Sequence, residues 1–173
     1  MSLTYNCLFT GPAPDLHQLL DQLVDEHLEE ALDPITEDDY FYFYESDKTF
    51  YLYYNEDNEH DRPDNRKSLL SIYPSNKSKI YNLSFGNFKV NSSWFIGFNK
   101  FNIARANEAL ARLLRNVLNE YEGDFVSLFN GEQIILYREA GRVYLNQGSD
   151  IAQEPMVSLL GLKEYELRAY KIV

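Results

Sequence analysis

Cysteine and positive charge are what this sequence has least of. Its 173 residues include one cysteine, Cys7, which excludes an internal disulfide and any metal site built from several thiolates. Lysine and arginine number 16 against 27 aspartates and glutamates, and the formal net charge is -11. That charge repels nucleic-acid backbones and anionic membranes, and it favours a basic partner.

Long apolar runs are also missing. No stretch approaches the ~20 apolar residues that cross a membrane. The opening residues, MSLTYNCLFT, have neither the basic start nor the apolar core of a signal peptide. A chain of 173 residues is long enough to bury a core of its own. The sequence therefore predicts a soluble, cytoplasmic protein with a single domain, residues 1–173.

The histidines and the cysteine do not form a recognisable catalytic group. His17 and His27 lie on one predicted helix, roughly 280° apart around its axis, so they cannot share a metal ion. His60 lies in a charged loop and has no evident partner. Cys7 has aromatic neighbours on the same face of a predicted strand, which is typical of a buried structural thiol.

Familiar catalytic and metal-binding motifs are absent as well. The acidic residues that begin at Asp57 alternate as in a calcium loop, but Arg62 replaces the required glycine and Ser68 replaces the required glutamate. There is no glycine-rich phosphate loop, nucleophile-elbow serine or histidine-glutamate metal motif. We therefore predict a protein that is not an enzyme and that uses no cofactor or metal. An enzyme would need a pocket lined by carboxylates or histidines.

The clearest architectural signal is a helix that begins after Asn102. The side chain of Asn102 can accept hydrogen bonds from the free amides of a first helical turn, and Gly123 can take the left-handed conformation that ends a helix. Between them, apolar residues recur at helical spacing and form one stripe. The stripe consists of Ile103, Ala106, Leu110, Leu113, Leu114, Val117, Leu118 and Tyr121.

A three-stranded meander follows this helix. Residues 125–129 and 133–137 have strand composition, and Asn130-Gly131 between them tolerates the two positive φ angles of a tight hairpin turn. A second turn at residues 139–141 leads into a strand at 142–145. The pattern predicts a helix laid on a meander.

The first part of the chain predicts a strand and then a helix. Residues 3–9 alternate as a strand does. After the break at residues 11–14, Asp15 stands where a helix cap belongs, and an apolar face continues to Pro34.

An aromatic hairpin comes next and supplies the candidate binding residues. Residues 40–44 and 50–54 are aromatic runs separated by a turn. Alternation places one set inward, Phe41, Phe43, Phe50, Leu52 and Tyr54, and the other outward, Tyr40, Tyr42, Tyr44, Tyr51 and Tyr53. Tyrosine is enriched in protein interfaces, and an acidic loop follows the hairpin. The predicted partner-binding residues are Tyr42, Tyr44, Tyr51, Tyr53, Asp57, Glu59 and Asp61.

The remaining segments complete the predicted fold. Strands are expected at residues 67–73, 79–85 and 87–99, and the last of these slips in phase at 91–93, which indicates a bulge or a turn. A short helix runs from Pro155 to Leu160, and a final strand covers residues 165–172. The fold class is α+β: a mostly antiparallel sheet with two longer helices and one short helix packed on one face.

The C-terminal part resembles a known family. The succession ALARLLRNVLNEYEGDFVSLFNGEQIILYREAGRVYLN, followed by PMVSLLG, is similar to the Sit family of bacterial immunity proteins, partners of the toxins that myxobacteria exchange between cells. The similarity lies mainly in the last 75 residues: the LLRNVL helix, the GDFVSLFNGE hairpin and the GRVYLN strand. The resemblance implies a protein that binds and neutralises a cognate toxin.

Three functional hypotheses follow. The leading one is an immunity protein that forms a stoichiometric complex with a basic toxin. The second is a carbohydrate or small-ligand binding module in which the outward tyrosines and Trp94 form a stacking platform. A concave aromatic groove would favour this module, whereas a flat tyrosine face would favour a protein partner. An enzyme is the third.

Overall fold

A computed structural model of the chain describes residues 3–30, 40–55, 67–100 and 102–170. The helices are α1 (Leu16–Glu30), α2 (Ile103–Glu120) and α3 (Met156–Leu159), with a 3-10 helix at Asp150–Ala152. The strands are β1 (Leu3–Phe9), β2 (Tyr40–Ser46), β3 (Thr49–Asn55), β4 (Leu70–Ser75), β5 (Lys79–Leu83), β6 (Gly86–Val90), β7 (Ser92–Phe98), β8 (Phe125–Phe129), β9 (Gln133–Glu139), β10 (Arg142–Asn146) and β11 (Glu166–Arg168).

Nine of these strands form one sheet in the order β11-β10-β9-β8-β1-β7-β4-β3-β2, and β5 and β6 form a separate two-stranded sheet. Neighbours in the large sheet are antiparallel except for β10 and β11. The predicted α+β class, with a mostly antiparallel sheet, two longer helices and one short helix, is confirmed.

The two faces of the large sheet are covered differently. On the helix face, buried residues of the sheet pack in one cluster with buried residues of α1, α2 and α3. On the opposite face, which we call the second face, Leu8 of β1 clusters with residues of β8, β9 and β10 and with Leu83, Phe88 and Val90 of the β5-β6 hairpin. Each fully buried aliphatic or aromatic side chain contributes about 1.5–3 kcal/mol by leaving water.

The expected strand at residues 87–99 is two strands. β6 ends at Val90 and β7 begins at Ser92, and the two belong to different sheets. At the break, the Asn91 backbone amide donates to the Phe9 carbonyl at 2.9 Å, and the Ser92 hydroxyl donates to the Gly11 carbonyl at 2.7 Å. The phase slip therefore marks a turn at which the chain changes sheets.

Helix α2 begins as predicted but ends differently. The Asn102 side chain accepts a hydrogen bond from the Arg105 amide at 3.4 Å. At the other end, Tyr121 is extended, with φ -101° and ψ 119°, and Gly123 is not among the residues with positive φ. The prediction that a left-handed Gly123 ends the helix is therefore wrong. A Cβ atom on Gly123 would lie 2.5 Å from the Tyr121 hydroxyl, so glycine is needed here for close packing.

Replacing Gly123 with alanine is expected to lower the free energy of unfolding by about 1–3 kcal/mol, because the methyl group would displace the Tyr121 ring. Urea unfolding measures the change. Gly148→Ala is the matched control, since the nearest atom to its Cβ would be 3.6 Å away and its φ is not positive. Equal stability of the two variants would contradict the steric role of Gly123.

The turns of the meander have the backbone angles that the sequence predicts, whereas the C-terminal strand is shorter than predicted. Asn130 and Gly131 have φ angles of 49° and 76°, and Gly161, which follows α3, has a φ of 61°. Within the described residues the final strand covers only Glu166–Arg168, where the prediction placed residues 165–172. All three of its residues are exposed, so no buried face fixes a longer pairing.

Candidate functional site

The described residues do not assemble a metal-binding group. His17 is exposed, and its Nδ1 atom lies 3.1 Å from Asp21 Oδ2 in a surface pair. The side chain of His27 and the whole of His60 lie outside the described residues. Among the residues that the structure describes, no group of three or more histidine, cysteine, aspartate or glutamate side chains could hold a metal ion.

Cys7 lies in the core of the sheet. Its side chain is fully buried, and its thiol donates a hydrogen bond to the Ser127 hydroxyl at a sulfur-oxygen distance of 4.0 Å. Burial raises the pKa of the Cys7 thiol to about 12, and the bond to Ser127 opposes this rise. A nucleophilic cysteine needs the thiolate, so Cys7 is a structural residue, as the strand pattern predicts.

The Cys7 thiol is expected to resist iodoacetamide at pH 8 in the folded protein and to react at once in urea. The pKa of the thiol is about 12 in the folded state, against an ordinary 9.0. Because the folded state holds the proton more tightly, ionisation of Cys7 does not oppose folding at any pH below 9. The stability of the fold then decreases as the pH rises from 9 toward 12. Mass spectrometry of the alkylated protein measures the reaction. Rapid labelling of the folded chain would show that the strand opens or that the thiol is exposed.

The aromatic hairpin stacks four of the predicted contact residues. Asp47 and Lys48 both have positive φ and form a two-residue turn, which sets Tyr44 opposite Tyr51 and Tyr42 opposite Tyr53. The stacked ring pairs are Tyr42-Tyr53 at 5.1 Å, Tyr44-Tyr53 at 5.7 Å and Tyr44-Tyr51 at 5.4 Å between centroids. Aromatic pairs at these separations attract one another, so the tyrosines support each other as one rigid set.

The prediction that Tyr53 is exposed to water is wrong. It belongs to the expected face of the strand, but it is only 3% exposed, since its ring lies between those of Tyr42 and Tyr44. The Tyr53 hydroxyl donates to the Tyr44 hydroxyl at 3.4 Å. Burial raises the pKa of Tyr53, and the bond to Tyr44 adds to the effect. Tyr53 therefore supports the rings of Tyr42 and Tyr44 from within the set.

The tyrosines continue across the sheet onto two residues that the sequence analysis missed. Tyr51 pairs with Ser71 of β4, and two residues further along β4, on the same face, Tyr73 pairs with Phe95 of β7. Tyr73 is 47% exposed and Phe95 is 49% exposed. Alternation around the buried Ile72, Trp94 and Ile96 would have indicated both. We define the aromatic face as Tyr42, Tyr44, Tyr51, Tyr73 and Phe95.

Small residues occupy the middle of this face. The register places Ser71 between Tyr51 and Gly97, and a Cβ atom on Gly97 would lie 2.5 Å from the Ser71 Oγ atom. The Ser71 hydroxyl therefore lies next to Gly97, and neither residue places a large side chain between the rings.

The aromatic face is the half of the second face that the β5-β6 hairpin does not cover. The hairpin packs on buried residues of β1, β8, β9 and β10. Within the described part of the chain, neither cluster of buried apolar residues includes any of the five residues of the aromatic face. Partly exposed aromatic residues that are neighbours on a sheet are typical of a surface that binds a partner.

Trp94 does not belong to the aromatic face. It is 1% exposed and packs edge-on against Phe9 in the helix-face cluster, with ring centroids 5.0 Å apart. The prediction that Trp94 forms part of a stacking platform is wrong, because its place in the alternation of β7 turns it toward the helices. The acidic residues Asp57, Glu59 and Asp61 lie outside the described residues.

Comparison with known proteins gives one match. Residues 86–155 match the family model described as SitI3-like, which confirms the resemblance to the Sit family. The match begins at β6 and ends just before α3, so it starts earlier in the chain than the predicted stretch and stops short of the C-terminal strand. No curated protein and no solved structure matches the chain. No helix in the described ranges is long and apolar enough to cross a membrane.

Proposed function

We propose that this chain is a cytoplasmic immunity protein that binds a basic protein toxin in a one-to-one complex through the aromatic face. The observation that carries the proposal is the half of the second face that the β5-β6 hairpin does not cover, on which Tyr73 and Phe95 are each about half exposed, among the described residues, next to the stacked tyrosines. Large aromatic side chains on a rigid support contribute most of the affinity in many interfaces.

The family match supports the class of function. Residues 86–155 match a family whose name denotes immunity proteins, and this segment includes β7, which carries Phe95. The other residues of the aromatic face lie in β2, β3 and β4, before the matched segment. An immunity protein needs a scaffold shared with its family and a surface specific for its own toxin. The matched segment would provide the scaffold, and strands β2, β3 and β4 would provide most of the specific surface.

The charge supports a basic partner. A net charge of -11 attracts a positively charged protein at a distance, while the aromatic rings provide the contact that excludes water. We propose that the partner contacts Tyr42, Tyr44 and Tyr51 together with Tyr73 and Phe95. Asp57, Glu59 and Asp61 remain predicted contacts. Tyr53 acts by supporting its neighbours.

Titration of the cognate toxin, to be sought first in the adjacent reading frame, tests the proposal. The toxin's activity is expected to fall in proportion to added protein and to vanish at one equivalent, and calorimetry is expected to give the same stoichiometry. Inhibition far below one equivalent would indicate an enzyme that modifies the toxin. Failure to form a complex, measured with a toxin that is active and folded, would contradict the proposal.

The rate of association with the toxin is expected to fall about tenfold when the salt concentration rises from ~0.1 M to ~1 M, because salt screens the long-range attraction. The dissociation rate is expected to change much less, since close aromatic contacts set it. Stopped-flow fluorescence measures both. An association rate independent of salt would contradict a basic partner, even if the complex forms.

A carbohydrate-binding module is the less favoured function. Stacking platforms for sugars need exposed ring faces, and the structure buries Trp94 and Tyr53, two of the rings that such a platform was expected to use. The proposed partner is therefore a protein.

A further inference from the structure

A cavity of about 220 Å³ lies on the helix face, away from the aromatic face. It is open to solvent on one side and is lined by strands β1, β8 and β9, by α2 and α3, and by the loop and 3-10 helix that follow β10. Polar and apolar residues both line it. The lining residues that matter below are Tyr5, Phe129, Gln133, Ile135, Asp150 and Ile151.

Three polar side chains line this cavity without a partner. Among the described residues, no group hydrogen-bonds or pairs with the Tyr5 hydroxyl, the Gln133 amide or the Asp150 carboxylate. Tyr5 is 91% buried, since its relative exposure is 9%, while its hydroxyl oxygen keeps some contact with solvent. Burial raises the pKa of Tyr5 to about 12, and the negative charge of Asp150 adds to the rise. The Asp150 carboxylate and the Tyr5 phenol are therefore close enough to contact the same small ligand.

The size and charge of the cavity restrict its ligand. Drug-sized ligands occupy pockets of roughly 300–1,000 Å³, so a cavity of about 220 Å³ suits a single side chain or a small molecule. Asp150, which is an exposed residue, is the one acidic or basic residue in its lining, so the lining favours a cation. The rings of Tyr5 and Phe129, 5.2 Å apart, add a surface that attracts cations through their π electrons.

We propose that this cavity binds an organic cation with a short apolar stem, of the guanidinium class. The guanidinium group would donate to the Asp150 carboxylate, the Gln133 amide oxygen and the Tyr5 hydroxyl oxygen, since it presents five N–H donors in one plane. The stem would pack on Ile135 and Ile151. The cation is either a free small molecule or an arginine side chain of a bound protein.

This inference does not depend on the proposed function, because it concerns the isolated chain and a different face of the sheet. All residues of the cavity lining except Tyr5 and Met156 fall within the segment that matches the SitI3-like family. The aromatic face lies mostly outside that segment. The cavity therefore belongs to the part of the chain that resembles the family.

Titration with n-butylguanidinium, followed by the methyl NMR signals of Ile135, Ile151 and Met156, tests the proposal. The cation is expected to shift these signals saturably, whereas 1-butanol and butyrate are expected to bind at least about tenfold more weakly. Asp150→Asn is expected to weaken cation binding by at least about tenfold. Asp25→Asn, which removes the same charge from an exposed position on α1, is expected to leave it unchanged.

The proposal is overturned if butanol binds as tightly as the cation, or if Asp150→Asn binds the cation as the unchanged chain does. Absence of any saturable shift of the methyl signals would also overturn it.

Repeating the titration on the complex with the toxin distinguishes the two sources of the cation. If the toxin inserts an arginine, n-butylguanidinium no longer binds; if the natural ligand is a small molecule, it binds as before. Failure of the toxin complex itself leaves the titration of the isolated chain intact.

Discussion

Replacing Arg138 with methionine is expected to lower the free energy of unfolding by about 3 kcal/mol. Arg138 is 6% exposed, and its guanidinium group donates hydrogen bonds to the backbone carbonyls at the end of α2. Nη1 donates to the Leu118 carbonyl at 2.9 Å, Nε donates to the Gly123 carbonyl at 3.1 Å, and Nη2 donates to the carbonyls of Gly123 and Tyr121. The last carbonyls of a helix have no partner within the helix, so this side chain stabilises the end of α2.

The magnitude follows from what methionine leaves behind. Its volume is similar enough to fill the space, but it donates no hydrogen bond, and each buried carbonyl left without a partner costs about 1–3 kcal/mol. Burial lowers the pKa of Arg138, and the nearby Tyr121, Asp124 and Glu122 oppose this effect. Part of the gain from the hydrogen bonds therefore offsets the cost of placing a cation in the core.

Urea unfolding of Arg138→Met beside Arg142→Met measures the effect. Arg142 is exposed on the neighbouring strand, so its replacement removes the same charge from the surface and is expected to change the stability by less than about 0.5 kcal/mol. Equal losses in the two variants would mean that charge, rather than the capping of α2, sets the stability.

The double variant Tyr73→Ala with Phe95→Ala is expected to lose at least about 100-fold in affinity for the toxin, because truncating each central aromatic residue of an interface often costs 2 kcal/mol or more. Both residues are about half exposed, so the fold is expected to tolerate their loss. The single variant Tyr51→Ala is expected to weaken binding less, since the rest of the stacked set remains.

Tyr165→Ala is the matched control for this prediction. Tyr165 is 42% exposed and directly precedes β11, at the far end of the sheet from β2. Calorimetric titration of the three variants is expected to show unchanged affinity for Tyr165→Ala alone. If the double variant binds as the unchanged chain does, the aromatic face is not the contact surface.

Local signals in the sequence predicted most individual elements. The cap at Asn102, the turn at Asn130-Gly131 and the alternation of the aromatic hairpin each depend on residues close together in the chain. The end of α2 could not be predicted in the same way. It depends on Arg138, which reaches it from β9, and on the packing of Tyr121 against Gly123.

The binding surface and the cavity depend on contacts between distant parts of the chain. Alternation separates the inward residues of a strand from the outward ones, but it does not tell which outward residues another element covers. Tyr53 is buried because its ring lies between those of Tyr42 and Tyr44. Tyr73 and Phe95 are exposed because the β5-β6 hairpin covers only the other half of the second face. The cavity similarly joins Tyr5 to Asp150, from opposite ends of the sequence.

Hydroxyl-radical footprinting of the chain, free and in complex with the toxin, tests the use of the aromatic face most directly. Tyr73, Phe95 and Tyr165 have similar exposures of 47%, 49% and 42%, so their oxidation rates in the free chain provide an internal comparison. Binding through the aromatic face is expected to protect Tyr73 and Phe95 severalfold while Tyr165 reacts as before. Protection of Tyr165, with Tyr73 and Phe95 still oxidised at their free rates, would contradict it.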